Sequence, residues 1–185
     1  MKPDKLSRAA RKKLILLDID GTITEKWTSE LLDGVAEWFG DNKVPVALVT
    51  NQGGVGLNYW MVKDGFGSPE KFPTEDEVVG RVIFIARKID ARAYAAFAFQ
   101  SKKGNWSPVP GGHEGVNTYE PGGHRSSWER DWRKPNPGML LQAMADAGVT
   151  PADTLMVGDT ESDRQAAENA GCAFAWADEF FGRDK

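Results

Sequence analysis

The feature that most constrains this chain is the apolar run Leu14-Ile15-Leu16-Leu17, closed at once by Asp18-Ile19-Asp20-Gly21-Thr22. Leu14 to Asp18 reads as a buried strand. Alternate side chains of a strand share a face, so Asp18 and Asp20 point the same way unless the backbone breaks there. Two carboxylates at such close quarters raise each other's pKa unless a cation is present. An arrangement that costs stability suggests a metal and a reaction. The plainer alternative is a strand end with a turn-forming Asp-Gly pair.

The rest of the chain alternates helices and strands. Ser29 to Gly40 carries Leu31, Leu32, Val35, Trp38 and Phe39 at helical spacing, with Ser29 as cap and Gly40 as stop. Val44 to Thr50 is an apolar strand, and Thr74 to Asp90 a longer helix with Val78, Val79, Val82, Ile83, Ala86 and Ile89 on its core face. Tyr94 to Phe99 is a third strand. Asn136 to Ala147 is a helix opening with Pro137 near its first turn and closed by Gly148. Thr154 to Gly158, Glu161 to Ala170 and Cys172 to Ala175 complete the pattern as strand, helix and strand. Such alternation predicts an α/β fold: a mostly parallel sheet with helices on both faces.

The 185 residues suit a single domain spanning 14–185, preceded by a basic arm at 1–13 with six Lys/Arg and one Asp. Two aromatic, Gly- and Pro-rich segments break the rhythm, one at 56–73 and a longer one at 100–133. A connection as long as the second usually belongs to a functional or disordered loop, and its aromatics favour order. The body holds 17 basic and 26 acidic residues, which argues against a broad nucleic-acid surface. No apolar stretch nears the roughly 20 residues of a membrane span. The four-residue run after the basic start is too short for a secretory signal, so a cytoplasmic setting is expected. The single cysteine, Cys172, excludes an internal disulfide and a cysteine-built zinc site, and reads as a small core residue.

Ligands of open parallel sheets bind beyond the carboxyl ends of the strands. The first strand ends in Asp18-Ile19-Asp20, the second in Thr50-Asn51-Gln52-Gly53-Gly54, and the fourth in Gly158-Asp159-Thr160-Glu161-Ser162-Asp163; Arg133-Lys134-Pro135 precedes a helix. Carboxylates, a hydroxyl, amides and a lysine so gathered suit Mg²⁺ and a phosphoryl group. Gln52-Gly53-Gly54-Val55-Gly56 lacks the Lys-Ser/Thr of a nucleotide P-loop and reads as a tight turn around phosphate.

These residues resemble the four motifs of the haloacid dehalogenase (HAD) superfamily, in order: Asp18 to Thr22, Val49-Thr50-Asn51, Lys134, and Gly158-Asp159 with Asp163. The resemblance implies a Rossmann-like three-layer sandwich and a phosphatase. It casts Asp18 as the nucleophile that forms an aspartyl-phosphate, and Asp20 as the acid and then base. Mg²⁺ would be held by Asp18, Asp159 and the backbone carbonyl of Asp20, with Asp163 supporting it or orienting Lys134. Thr50, Lys134 and the amide of Asn51 would bind phosphoryl oxygens, beside Gln52, Gly53 and Arg133. An Asp at position 20 favours hydrolysis over dehalogenation.

Only about 28 residues separate the first two motifs, so the resemblance implies no large cap domain. Thr50 to Gly54 and Arg133 to Leu140 are similar to the capless branch that contains histidinol-phosphate and heptose-bisphosphate phosphatases and polynucleotide 3′-phosphatases. The first two commonly carry a cysteine-rich zinc loop before Arg-Lys-Pro; here that stretch has only His113 and His124, a poor zinc site by themselves. The tail Phe174 to Phe181 resembles the end of polynucleotide 3′-phosphatases. Trp106, Trp128 and Trp132, set among Lys102, Lys103, Arg125, Arg130 and Arg133, would stack bases on that reading, or else pack the loop onto the sheet. Three functions stay open: hydrolysis of a small phosphorylated metabolite, placed first because the body is acidic; removal of a 3′-phosphate from a polynucleotide, with nucleic acid as substrate only; and phosphate binding without turnover. Oligomeric state is left open.

Overall fold

The computed structural model describes residues 12–110 and 127–183. The basic arm up to residue 11, His113, His124 and Arg125 lie outside the described residues. Five strands form one wholly parallel sheet: β1 (Leu14–Leu17), β2 (Val46–Asn51), β3 (Arg92–Ala96), β4 (Thr154–Gly158) and β5 (Ala173–Trp176), in the order β3-β2-β1-β4-β5. Around it lie α1 (Val35–Asp41), α2 (Gly54–Asp64), α3 (Glu75–Lys88), α4 (Gly138–Ala147), α5 (Glu161–Ala170) and α6 (Ala177–Phe181). Among the described residues no helix is long and apolar enough to cross a membrane.

The period of two along each strand divides the core into two layers. Ile15, Leu17, Leu48, Ala93, Ala95, Leu155 and Val157 pack with Val78, Val82, Ile85 and Ala86 of α3. Leu14, Leu16, Ala47, Val49, Tyr94, Ala96 and Met156 pack with Met139, Leu140, Ala143 and Met144 of α4 and with Ala166, Ala167 and Ala170 of α5. β1 is therefore apolar at every position because both its faces are covered. Chain order reverses direction on either side of β1, so the switch point lies between the ends of β1 and β4.

Several boundaries depart from the sequence reading. The expected Ser29 to Gly40 helix starts only at Val35, capped by Gly34 at φ 77°, and runs through Gly40 to Asp41. The residues before it fold back instead: Thr24 bridges Leu31, and the Leu32 N–H donates to the Ile23 carbonyl at 3.0 Å. α2 occupies the first part of what reads as a loop at 56–73; only Val55 and Gly56 of it are buried, too few to mark a periodic face. β3 starts two residues and ends three residues earlier than expected; it stops at Ala96 because Phe97 turns its N–H to the Ser127 carbonyl (2.7 Å). Trp128 and Trp132 are core, each 5% exposed, so these two aromatics pack the loop onto the sheet.

Candidate active site

The strand ends just before the paired carboxylates, and a turn follows them. β1 ends at Leu17, and Gly21, at φ 83°, turns the chain so that its N–H meets the Thr24 carbonyl at 2.8 Å. The two side chains take separate partners: Asp18 meets Lys134, just before α4, whereas Asp20 meets Arg81 of α3.

Around Asp18 the site is buried. The Lys134 ammonium, 2% exposed, donates to Asp18 Oδ1 (2.8 Å), to Asp163 Oδ1 (2.5 Å) and to the Val49 carbonyl (2.8 Å). All three of its protons are thereby used. Asp163 gives its other oxygen to the N-cap of α5, accepting from Thr160 N–H (3.0 Å) and Thr160 Oγ1 (2.6 Å). Asp159 receives the Thr22 hydroxyl at 3.5 Å. Burial pushes the Asp18 carboxyl up to about 7, opposed by Lys134 and reinforced by Asp163 and Asp159. Burial and the Asp163 charge also raise Asp159. For Lys134 burial acts downward, but the two carboxylates outweigh it and its pKa ends above the ordinary lysine value.

One carboxylate oxygen from each of Asp18, Asp159 and Asp163 lies within 4.8 Å of the others. The donors are all oxygen, the preference of a hard divalent cation, and one ammonium shared between two of three carboxylates leaves negative charge in excess. Gly21 keeps this cradle open, because a Cβ there would fall 2.3 Å from Asp159 Oδ2. The residues present therefore fit Mg²⁺.

The strand β2 brings Thr50 and Gln52, both buried, to the same edge, with Gln52 Nε2 donating to Thr50 Oγ1 at 3.0 Å. Asn51 uses its side chain structurally: it accepts from the Lys134 N–H (3.0 Å) and donates to the Lys134 carbonyl (2.9 Å), locking the lysine segment to β2. Arg133 donates to the Ala98 carbonyl at 3.1 Å, and burial lowers its pKa. Gly53 permits this placement, since a Cβ would come within 2.7 Å of the Arg133 guanidinium.

Asp20 sits in a different setting. Arg81 of α3 grips it with both terminal nitrogens, NH2 to Oδ1 at 2.5 Å and NH1 to Oδ2 at 3.2 Å. Gln52 Nε2 adds a bond to Oδ2 (2.7 Å) and Trp27 N–H one to Oδ1 (3.0 Å). Burial acts upward on Asp20, but the bonds from Arg81, Trp27 and Gln52 together hold its carboxyl below the ordinary value. Its side chain is not among those that converge on the metal cradle. Arg81 escapes a sequence reading because a lone arginine on the polar face of a helix looks like any solvated charge.

A family model described as HAD-hydrolase-like matches residues 131–178. The chain is 30% identical over 171 residues to a D-glycero-α-D-manno-heptose-1,7-bisphosphate 7-phosphatase of Burkholderia mallei, covering 87% of this chain and 77% of that one. Among solved structures, a HAD-like phosphatase from Mesorhizobium loti matches at 25% identity and a TM-score of 0.53, over 88% of this chain and 70% of that one. A D,D-heptose 1,7-bisphosphate phosphatase from B. bronchiseptica, solved with magnesium and phosphate, shares the fold at 22% identity and a TM-score of 0.50, over 88% and 78% of the two chains. With relatives of that extent and a sheet of this order, the chain belongs to the haloacid dehalogenase superfamily, among its phosphatases.

Proposed function

We propose that the chain, as a single phosphatase domain over 14–185, hydrolyses a small phosphorylated metabolite through an aspartyl-phosphate on Asp18, with Mg²⁺ as cofactor. The observation that carries this reading is the buried set of Asp18, Asp159, Asp163 and Lys134. Asp18, Asp159 and the Asp20 carbonyl would hold Mg²⁺, which when bound neutralises charge on the phosphoryl oxygens. Asp163 has both oxygens engaged by Lys134 and Thr160, so its part is to aim the lysine and support the cradle.

In the first step an oxygen of Asp18 attacks phosphorus, the bond to the leaving oxygen breaks, and Asp20 gives that oxygen a proton. In the second, Asp20 as carboxylate takes a proton from water, the water oxygen attacks phosphorus, and Asp18 departs as carboxylate. Lys134 stands against the charge that builds on the phosphoryl oxygens. Thr50 accepts from Gln52 and keeps its own proton to donate to them.

A small substrate is favoured over a polynucleotide end because Trp128 and Trp132 are spent on the core and cannot stack bases. The relative from Burkholderia mallei points to a phosphorylated sugar. The test is phosphate release from 4-nitrophenyl phosphate with and without Mg²⁺, followed by a panel of sugar phosphates and a 3′-phosphorylated oligonucleotide. We expect Mg²⁺-dependent turnover, abolished in Asp18→Asn, and a sugar phosphate preferred. Turnover indifferent to Asp18→Asn overturns the mechanism, and preference for the oligonucleotide overturns the substrate class.

A further inference from the structure

We propose that Arg81 is the positioning residue of Asp20, holding the proton-transferring carboxylate in the one orientation from which it reaches the leaving oxygen. The inference rests on the reading of Asp20 as acid and base, and adds the residue that aims it.

Four observations carry it. The guanidinium meets the carboxylate two nitrogens to two oxygens, the planar fork that fixes direction as well as distance. The arginine is itself held: its Nε donates to the Thr28 carbonyl at 2.7 Å, and NH2 also reaches Thr24 Oγ1 at 3.3 Å. Those contacts pin the turn after β1 to α3, and that turn supplies the Trp27 N–H bonded to Asp20. Trp27 holds a left-handed φ of 67°, an uncommon conformation for a bulky residue. With its side chain only 13% exposed, Arg81 pairs with a carboxylate at 21%, well shielded from competing water.

Arg81 and Lys134 have different carboxylate partners, Asp20 for the first and Asp18 and Asp163 for the second. The two cations therefore serve the two carboxylates separately. Without Arg81, Asp20 keeps only Gln52 and the Trp27 amide, and the turn loses its tie to α3. The carboxylate then samples other rotamers, and proton delivery slows while phosphoryl binding at Asp18 and Lys134 stays intact.

The leaving group tests this. A 4-nitrophenolate departs without help, whereas the alkoxide of glycerol 3-phosphate needs its proton, and a positioned acid contributes about 10²–10⁴-fold. Arg81→Met is expected to lower the single-turnover rate of phosphoryl transfer to Asp18 from glycerol 3-phosphate about 10–100-fold, and from 4-nitrophenyl phosphate at least ~10-fold less than that, with KM nearly unchanged. In an Asp20→Asn background the same substitution is expected to cost nothing further, because the group it aims is gone. Arg81→Lys keeps the charge without the fork and is expected to fall between, which preserves the test should the Met variant fold poorly.

Equal losses on both esters, or losses that add to those of Asp20→Asn, overturn the inference and make Arg81 a structural residue. A rise in KM alone overturns it in favour of substrate binding. The underlying reading is checked separately: if Asp20→Asn itself shows no dependence on the leaving group, the acid role of Asp20 fails, and this inference falls with it.

Discussion

Asp18 and Asp20 are two residues apart in the chain and electrostatic opposites in the fold. Asp18 is almost fully buried and shares one ammonium with Asp163, so its carboxyl is pushed up to about 7 by burial and by neighbouring carboxylates. Asp20 is less buried and has a guanidinium of its own plus two N–H donors, which hold it below the ordinary value. Charge balance therefore divides the pair. The first group lacks positive charge, which is where a divalent cation belongs; the second has enough. Residue type does not distinguish them, and neither does distance along the sequence. The cation that each side chain meets does.

The largest effect is expected from removing the cation on the Asp18 side. Lys134→Met strands Asp18 and Asp163 in a dry pocket, and breaking such a pair costs about 3–5 kcal/mol. Urea unfolding without metal should show that loss, and kcat should fall by roughly 10²–10³ as for a deleted oxyanion donor. A variant as stable as the parent would mean that Asp18 and Asp163 are not jointly ionised beside the lysine.

A smaller effect separates the pair by pH. With its folded pKa above the unfolded value, Asp18 keeps a proton in the folded protein that the unfolded chain has released. Metal-free stability should therefore fall as pH rises from about 4 towards 7, by ~4 kcal/mol at most if one pKa unit is about 1.4 kcal/mol. Asp18→Asn should flatten that slope and leave the metal-free protein more stable than the parent at neutral pH, although inactive. Added Mg²⁺ should flatten it too. Chemical unfolding across that range, with EDTA or with Mg²⁺, reads both outcomes, and a slope unchanged by Asp18→Asn would break the contrast.

The smallest effect has the opposite sign. Asp20 has a depressed pKa, so its contribution is complete above about 3.9, the ordinary carboxylate value, and is lost as pH falls through the folded value. Asp20→Asn should lower stability by a constant amount across the neutral range and blunt the further loss in acid, as followed by urea midpoints against pH. If Asp20→Asn left the acid-side loss unchanged, the two sites would not differ as described.

Much of this site is legible in sequence because its parts sit at strand ends. Asp18, Thr50, Lys134 and Asp159 each follow an apolar run or open a helix, and a parallel sheet brings such positions to one edge. The two-sided burial of β1 is written in four consecutive apolar residues. What sequence spacing cannot convey is that the strand ends at Leu17, before either carboxylate, since alternation assumes an unbroken strand. Arg81 was hidden because its partner lies 61 residues away, beyond any local pattern. α2 leaves little trace in the sequence for a different reason: a half-exposed helix that opens with Gly54 and Gly56 has neither a strong propensity nor a clear apolar stripe.

On the proposed mechanism Asp18 takes the phosphoryl group while the Asp20 side chain only moves protons. Rapid-quench reaction of Asp20→Asn with 4-nitrophenyl phosphate and Mg²⁺ tests it directly. The aryl leaving group needs no acid, so the first step survives, whereas the second loses its base. The account predicts a burst of one 4-nitrophenolate per active site and a phosphoryl group found by mass spectrometry on the peptide containing Asp18. A phosphoryl group on any other residue, or turnover with no burst and no phosphorylated peptide, would contradict it.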